Sequence, residues 1–217
     1  MKNRLYIRAK RILDILILTV FCPIWIPLMI FLSLAIKFSS KGAVFFRQKR
    51  VGRDCGFFMI YKFRSMYANA PRDTPTHLLE NPEAFITPVG KFLRKSSLDE
   101  LPQVFNILKG EITLVGPRPA LWNQDDLVAE RAKYGANDVT PGLTGLAQIR
   151  GRDELPIPVK AKYDGEYCAN MSLLLDLKIL FLTFRTVFKS RGVIEGGTGA
   201  IERQSDAANP GEGRRLR

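Results

Sequence analysis

Two neighbouring carboxylates, Asp99 and Glu100, are the residues of this chain best suited to chemistry. Adjacent carboxylates repel each other when both are ionised, so a buried pair needs a cation beside it. A carboxylate pair that holds a metal ion can also act as a nucleophile. A structural alternative exists, because Ser97 followed three residues later by Glu100 fits the capping box of a helix start. The pair alone is compatible with a reactive site and with a helix cap.

Other catalytic residue types are scarce in the sequence. His77 is the only histidine and lies in a Pro/Thr-rich stretch, so a Ser-His or Cys-His scheme has one poor candidate. Cys22, Cys55 and Cys168 are scattered and odd in number, which indicates neither a disulfide framework nor a zinc site. The sequence also lacks the glycine-rich fingerprints of dinucleotide-binding and Walker-type proteins. General base chemistry must then come from carboxylates or lysine.

An apolar segment near the N-terminus is long enough to cross a bilayer. Residues 15–36 include no charged side chain, and about 20 apolar residues suffice to span the hydrocarbon core. Pro23 and Pro27 each remove a helical hydrogen-bond donor, which predicts a bend in the middle of the segment. Both flanks are basic, as expected if both ends lie in the cytosol. We therefore predict a bent re-entrant helix, the alternative being a single-pass anchor that tolerates its prolines.

The chain is strongly basic, with a formal net charge of +12. Such a charge predicts anionic partners, namely phosphate groups, nucleic acid or acidic lipid head groups. Because the chain also carries a membrane segment, membrane phospholipid is the simplest of these partners, and we expect no nucleic acid.

The pattern along the chain predicts an α+β protein that is mainly helical with a small β component. Strands over 44–51 and 57–64 should form a hairpin with Lys62 and Arg64 on one face. Helices are expected over 88–95, 102–109 and 125–134, a short strand over 112–114, and a turn-rich loop over 141–152. The segment 173–188 predicts a helix that lies on the bilayer. The predicted regions are a re-entrant membrane helix (1–40), a catalytic domain on the cytosolic side with interfacial amphipathic helices (41–189) and a flexible tail (190–217).

Six ordered motifs resemble those of the bacterial sugar transferase family, specifically its monotopic polyprenyl-phosphate phosphoglycosyl transferases. The motifs occupy residues 61–66, 97–103, 106–110, 116–119, 141–145 and 175–179. The resemblance covers nearly the whole chain except the tail and is that of a small member with the catalytic core only. Two departures are Leu146 and Arg150, which stand where the family usually has Trp and Asn.

The resemblance implies transfer of a phosphosugar from a UDP-sugar to undecaprenyl phosphate, with release of UMP, at the cytosolic face of the inner membrane, initiating bacterial glycoconjugate synthesis. By the same resemblance Asp99 is the nucleophile that carries the covalent phosphosugar, and Mg²⁺ is bound by Glu100 together with Asp99. The implied substrate-binding residues are Lys62, Arg64, Arg94, Arg118, Gln148, Arg152 and Asp176. For Asp176 a structural salt bridge is the alternative to a substrate contact.

Two rival interpretations explain part of the sequence. A membrane-anchored basic protein that only binds anionic lipid or nucleic acid would explain the charge, but it gives no reason for Asp99 and Glu100 amid arginines. A single-pass hydrolase with two carboxylates would explain the pair, but it predicts a domain across the membrane or an asymmetric charge pattern. The transferase interpretation accounts for both features.

Overall fold

The computed structural model describes residues 4–71, 82–151 and 155–188. The predictions for His77, Arg152 and the tail 190–217 therefore fall outside the described residues. In chain order the helices are α1 Arg4–Val20, α2 Cys22–Ser39, α3 Pro88–Lys95, α4 Val104–Lys109, α5 Asp125–Ala132, α6 Leu146–Arg150, α7 Ile157–Ala169 and α8 Leu173–Phe188. The strands are β1 Phe45–Val51, β2 Phe57–Phe63, β3 Thr113–Val115 and β4 Gly142–Thr144. The prediction of a mainly helical protein with a small β component is confirmed.

The apolar N-terminal segment consists of two helices rather than one bent helix. The break falls at Phe21, between α1 and α2, and Pro23 occupies the first turn of α2. Proline is tolerated there because the amides of a first turn have no helical acceptor. Pro27 lies inside α2, which continues to Ser39, so the structure has no helix end at this second proline.

A tryptophan side chain bridges the break between α1 and α2. The indole Nε1 of Trp25 donates a hydrogen bond of 2.8 Å to the backbone carbonyl of Leu18, near the end of α1. Carbonyls in the last turn of a helix lack amide partners. Trp25 therefore supplies one of the donors that the interruption of the helix removes.

Helix α2 packs one face on the rest of the protein and exposes the other. Met29, Leu32 and Ile36 are buried against Phe63 of β2 and Leu93 of α3. The exposed apolar side chains of α2 include Ile24, Ile30, Phe31, Leu34 and Phe38. By length and composition α2 is the one helix among the described residues that could cross a membrane.

Helix α1 is fixed to the body of the protein by polar contacts. The buried carboxylate of Asp14 accepts a hydrogen bond of 2.5 Å from the Thr113 hydroxyl of β3. The guanidinium of Arg11 donates to the carbonyls of Ile107 and Leu108 near the end of α4. These contacts join the first helix to the segments on either side of residue 110.

The predicted hairpin is present, with β1 and β2 antiparallel from Phe45 opposite Phe63 to Val51 opposite Phe57. A second sheet pairs β3 and β4 in parallel, although the sequence had predicted only a turn-rich loop around β4. The short strand predicted over 112–114 corresponds to β3, whereas β4 has three residues and no pattern long enough to be recognised.

The parallel strands β3 and β4 approach each other closely just beyond their carboxyl ends. A Cβ atom on Gly145 would lie 2.1 Å from the carbonyl oxygen of Gly116, so only glycine fits at Gly145 without a backbone shift. The chain then continues from β3 towards Arg118 and from β4 into α6. Both segments therefore start at the carboxyl end of the sheet, where ligands commonly bind next to parallel strands.

Helix α8 has the bounds that the sequence predicts, and its outer face is apolar. Leu174, Leu177, Phe181 and Phe184 are exposed and recur at helical spacing. On the opposite side, Ile179 is buried in the main hydrophobic cluster. The sequence did not show that one face of α8 is apolar and exposed and the other is buried, because the charged Asp176 lies on the buried face.

Candidate active site

Asp99 and Glu100 lie on a short 3-10 helix, Leu98–Gln103, that follows α3. Ser97 precedes it in the left-handed region with φ of 56°, and its side chain makes no capping hydrogen bond. The capping-box prediction is therefore wrong. The Glu100 side chain contacts Lys62 and Arg118 instead of the backbone of Ser97. The left-handed conformation of Ser97 is uncommon for a non-glycine residue and is held by the surrounding structure.

Two basic side chains hold the Glu100 carboxylate. Lys62 Nζ donates to Glu100 Oε1 at 2.8 Å. Arg118 donates from Nη2 to Oε1 at 2.5 Å and from Nη1 to Oε2 at 3.3 Å. An arginine that contacts both carboxylate oxygens fixes the orientation of the carboxylate as well as supplying charge. The structure thus brings together Lys62, Glu100 and Arg118, three of the residues that the resemblance implied.

Asp99 shares one of these cations with Glu100. Its Oδ2 atom lies 3.9 Å from Lys62 Nζ, and the Asp99 side chain is 13% exposed. Lys62 is therefore placed between the two carboxylates and offsets their mutual repulsion. The nearly buried carboxylate pair thus has the neighbouring cation that it needs.

The two cations also control the ionisation of Glu100. Burial alone would raise the pKa of this carboxyl, but the charges of Arg118 and Lys62 and their hydrogen bonds together hold the pKa well below its usual range. Glu100 therefore stays ionised at neutral pH and below it. A permanently charged carboxylate is suited to holding a cation and unsuited to donating a proton.

The hairpin and a proline-flanked loop position the two cations. Lys62 lies on β2 opposite Phe46, and Arg118 lies between Pro117 and Pro119, whose rings fix the backbone on both sides. Arg50 of β1 donates from Nη1 to the Pro119 carbonyl at 3.1 Å. The hairpin therefore carries Lys62 and also supports the loop that carries Arg118.

Arg50 and Gln48 were not predicted as site residues. Arg50 Nη2 donates to Gln48 Oε1 at 2.7 Å, so the two side chains support each other. In the hairpin register Gln48 pairs with Ile60 and Arg50 with Phe58, on the same face as Lys62. The alternation of β1 in the sequence was the signal that could have identified them.

Arg94 is held at the end of β2. Its Nε donates to the Ser65 hydroxyl at 2.8 Å. Helix α3, which carries Arg94, packs so tightly here that a Cβ on Gly90 would lie 1.9 Å from the Ser65 carbonyl oxygen. Arg94 is thus fixed beside the strand that carries Lys62.

Arg64 does not join the Glu100 cluster. Its guanidinium donates to the backbone carbonyls of Lys41 and Ser40, both at 2.7 Å, just after α2. Arg64 follows the last residue of β2, so strand alternation no longer determines the direction of its side chain. In the structure Arg64 therefore supports the end of α2, and its implied role in substrate binding stays a prediction.

Asp176 is a buried structural residue that joins α1, α7 and α8. Its Oδ2 accepts from Lys10 Nζ at 2.6 Å and from the Tyr6 hydroxyl at 2.8 Å. Its Oδ1 accepts from the Tyr167 hydroxyl at 2.7 Å. Burial, followed by the charge of Asp176, raises the pKa of Tyr167, which therefore remains a neutral donor. Of the two roles left open for Asp176, the structure supports the salt bridge.

Replacement of Asp176 by Asn should destabilise the protein and leave substrate recognition intact. The change leaves the buried ammonium of Lys10 without its charged partner, at a cost of about 1–3 kcal/mol in the free energy of unfolding. Chemical denaturation in detergent measures the loss, with the exposed Asp138→Asn as the control. Unchanged stability combined with a raised KM would instead assign Asp176 to the substrate.

Gln148 lies in α6, after the close approach of Gly116 and Gly145. Both polar atoms of its amide are buried, and neither has a hydrogen-bond partner among the residues the structure describes. Buried amides normally find partners, so an orphaned one indicates a ligand that would supply them. Gln148 follows the same sheet edge as Arg118, and Arg152 lies outside the described residues.

The side chains of the dyad fit Mg²⁺ in part. In the described ranges no group of three or more His, Cys, Asp and Glu side chains could hold a metal ion. Mg²⁺ is often bound by one or two carboxylates together with substrate phosphates, and Asp99 and Glu100 could supply such a carboxylate pair. Because both Glu100 oxygens accept hydrogen bonds from cations, a metal ion at Glu100 would have to displace part of these contacts.

Comparison with known proteins accounts for this arrangement of residues. Residues 5–190 match the family described as bacterial sugar transferase. The chain belongs to the bacterial sugar transferase family. This match confirms the resemblance inferred from the six motifs, and it includes the dyad and the basic residues that surround it.

Two relatives illustrate the range of bacterial sugar transferases. The exopolysaccharide production protein ExoY of Sinorhizobium fredii is 37% identical over 198 residues, which cover 85% of this chain and 87% of ExoY. The UDP-glucose:undecaprenyl-phosphate glucose-1-phosphate transferase of Klebsiella pneumoniae is 40% identical over 187 residues, which cover 83% of this chain but 39% of that protein. The match thus covers most of the short relative ExoY but less than half of the longer Klebsiella protein.

Proposed function

We propose that this chain transfers a sugar phosphate from a UDP-sugar to undecaprenyl phosphate and releases UMP, as the first membrane step of a surface glycan. The observation that carries the proposal is the Asp99–Glu100 pair enclosed by Lys62 and Arg118. Relatives named for this type of transfer include the Klebsiella glucose-1-phosphate transferase and an undecaprenyl-phosphate galactose phosphotransferase of Salmonella typhimurium, which is 36% identical.

The proposed reaction has two displacements at one phosphorus atom. An Asp99 oxygen attacks the β-phosphorus of the UDP-sugar, an aspartyl–phosphorus bond forms, and UMP leaves with the bridging oxygen. A phosphate oxygen of undecaprenyl phosphate then attacks the same phosphorus, the bond to Asp99 breaks, and the sugar diphosphate lipid is released. Each step exchanges one phosphorus–oxygen bond for another, and neither requires a redox partner.

The basic residues around the dyad support this chemistry. A carboxylate that attacks a phosphoanion meets repulsion unless positive charge offsets it, and phosphoryl transfer is catalysed mainly by positioning and charge stabilisation. Lys62 contacts Glu100 and lies near Asp99, where an ammonium can meet the incoming diphosphate. Arg118 has the planar donor group that matches phosphate oxygens.

Glu100, with Asp99, would hold Mg²⁺ when the substrate is bound. The ion would supply charge neutralisation at the diphosphate. Glu100 suits this role because its pKa is held below the usual range, so the carboxylate is charged before any ligand arrives. Gln148, with its orphaned amide, is the residue of α6 that would hydrogen-bond the nucleotide or the sugar.

The fold also supports the proposed re-entrant membrane segment. Helix α1 is joined to the body through Asp14, and α2 is packed on the same body through Met29 and Ile36. A single-pass arrangement would need the segments before and after the break to lie on opposite sides of the membrane. Contacts of both helices with one catalytic body favour the two ends lying on the same side, which we propose is cytosolic.

Labelling of cysteines can test this topology with a native reporter. Cys55 is exposed on the turn between β1 and β2, and Arg8→Cys adds a thiol on the exposed side of α1. In a Cys22→Ser background, both thiols should react with a membrane-impermeant maleimide in inside-out vesicles and stay unlabelled in right-side-out vesicles. Labelling of the two positions from opposite sides would contradict the re-entrant segment.

The activity itself is tested by measuring UMP. Purified protein in detergent is supplied with Mg²⁺, undecaprenyl phosphate and a panel of UDP-sugars that includes glucose, galactose and their N-acetylated amino forms. We expect continuous UMP release with at least one sugar. Without enzyme no UMP should form, and without undecaprenyl phosphate no more than about one UMP per enzyme molecule should form. Absence of UMP with every sugar of the panel would count against the proposed function.

A further inference from the structure

A shallow cavity of about 520 Å³, largely open to the surface, lies at the C-terminal end of α2. Its lining residues are Lys37, Phe38, Ser39, Ser40, Lys41 and Gly42. The two lysines are exposed, and no acidic side chain in the described parts of the chain lies within ion-pair distance of either one. The cavity therefore presents two ammonium groups, which bind anions, and the Ser40 hydroxyl, whose oxygen accepts a hydrogen bond from Arg64.

A buried arginine lies directly behind the cavity. Arg64 is 8% exposed and donates to the Ser40 carbonyl, to the Ser40 hydroxyl and to the Lys41 carbonyl. The C-terminal end of a helix normally carries a partial negative charge, which repels anions. Here the guanidinium occupies that end, and it has no acidic partner among the residues the structure describes. Arg64 therefore turns a helix end that should repel anions into one that attracts them.

The surroundings of the cavity indicate what carries the anion. Phe38 lines the cavity and is 85% exposed, and Phe31 and Leu34 on the preceding turns are 68% and 52% exposed. A soluble anion would gain nothing from this apolar surface. A lipid phosphate would place its acyl chains along α2 and its charge between the lysines, as expected where an apolar helix meets basic residues.

We propose that this cavity binds the phosphate of an anionic membrane phospholipid. Its cations are Lys37, Lys41 and Arg64, and none of these is among the cations that contact the dyad, Lys62 and Arg118. The bound lipid would fix the depth of α2 in the membrane. The proposal does not require the transfer reaction, so failure of either one leaves the other standing.

Direct lipid binding to the full chain tests the proposal. Protein in a neutral detergent is titrated with short-chain phosphatidylglycerol or phosphatidylcholine, and bound lipid is counted by native mass spectrometry. Lys37→Gln with Lys41→Gln should weaken phosphatidylglycerol binding about thirtyfold, given the usual contribution of two basic groups near an anionic lipid. The matched control, Lys91→Gln with Lys162→Gln, removes the same charge from exposed sites elsewhere and should bind as the unmodified chain does.

Three results would overturn the proposal. The first is unchanged phosphatidylglycerol binding in the cavity variant, and the second is an equal loss in the control variant. The third is one-for-one displacement of phosphatidylglycerol by undecaprenyl phosphate, which would assign the cavity to the acceptor substrate. Preference for phosphatidylglycerol over phosphatidylcholine that is lost only in the cavity variant would support the proposal, and a UMP assay on the same samples reports the transfer reaction separately.

Discussion

Replacing Asp99 with Asn should lower steady-state UMP release by about 1,000-fold or more, because the reaction loses its nucleophile. The amide has nearly the same shape but does not attack phosphorus. The side chain is 13% exposed, and Lys62, which lies 3.9 Å from it, keeps Glu100 as a partner, so we expect the variant to fold. The measurement is UMP formation with the UDP-sugar that the unmodified chain accepts.

A burst experiment separates a covalent mechanism from direct transfer. Without undecaprenyl phosphate, a covalent mechanism releases about one UMP per enzyme molecule and leaves the phosphosugar on Asp99, where mass spectrometry of the intact protein detects it. Asp99→Asn should give neither signal, whereas the exposed Asp138→Asn should give both. Full activity in Asp99→Asn, or the absence of a burst in an active chain, would contradict the assignment of Asp99 as nucleophile.

Replacing Arg118 with Gln should lower turnover by about 100- to 1,000-fold, the usual loss when one charge-stabilising donor is removed. Arg118 is the largest of the influences that lower the pKa of Glu100, so its removal raises that pKa towards the ordinary range. On acidification, the activity of the variant should therefore begin to fall at a higher pH than the activity of the unmodified chain. Arg118→Lys keeps the charge without the paired donors and should lie between the two.

The same ionisation has a stability consequence with a definite sign. The folded-state pKa of Glu100 is depressed, so the stabilisation from Arg118 and Lys62 is present above the unfolded pKa of Glu and is lost as the pH falls through the folded value. The unmodified chain should therefore lose stability as the pH falls below the unfolded pKa of Glu, whereas Arg118→Gln, which lacks most of this contribution at every pH, should lose less over the same range. Superimposable acid unfolding curves for the two proteins would contradict the proposed role of Arg118 at Glu100.

The resemblance implied Lys62, Glu100 and Arg118 through local motifs, and the structure brings these three side chains together. Strand alternation placed Lys62 on one face of the hairpin, and the two prolines marked a rigid backbone around Arg118. The capping box failed because Ser97 adopts a left-handed conformation that a sequence pattern does not reveal. The sequence suggested a reactive role for the pair, but it did not predict the 3-10 helix that carries the two residues.

Other parts depended on contacts between distant segments, which local patterns do not report. Asp176 meets Lys10 across 166 residues of sequence, and Arg64 turns to the end of α2 rather than to the dyad. Helix bounds were predicted well where periodicity is long, as in α8, whereas β4 has three residues and was missed. Pro23 and Pro27 predicted a bend in the apolar segment. The helix break at Phe21 lies next to Pro23, whereas α2 continues through Pro27.

The contacts of Asp176 also set an order for the completion of the fold. The Asp176 carboxylate is synthesised 170 residues after Tyr6 and 166 residues after Lys10, the two residues that bind it. Contacts of such long sequence separation form late, because the intervening chain must be ordered first. Helix α2 therefore leaves the ribosome before α1 can complete its polar packing, so its apolar face is made well before the segment that carries Asp176.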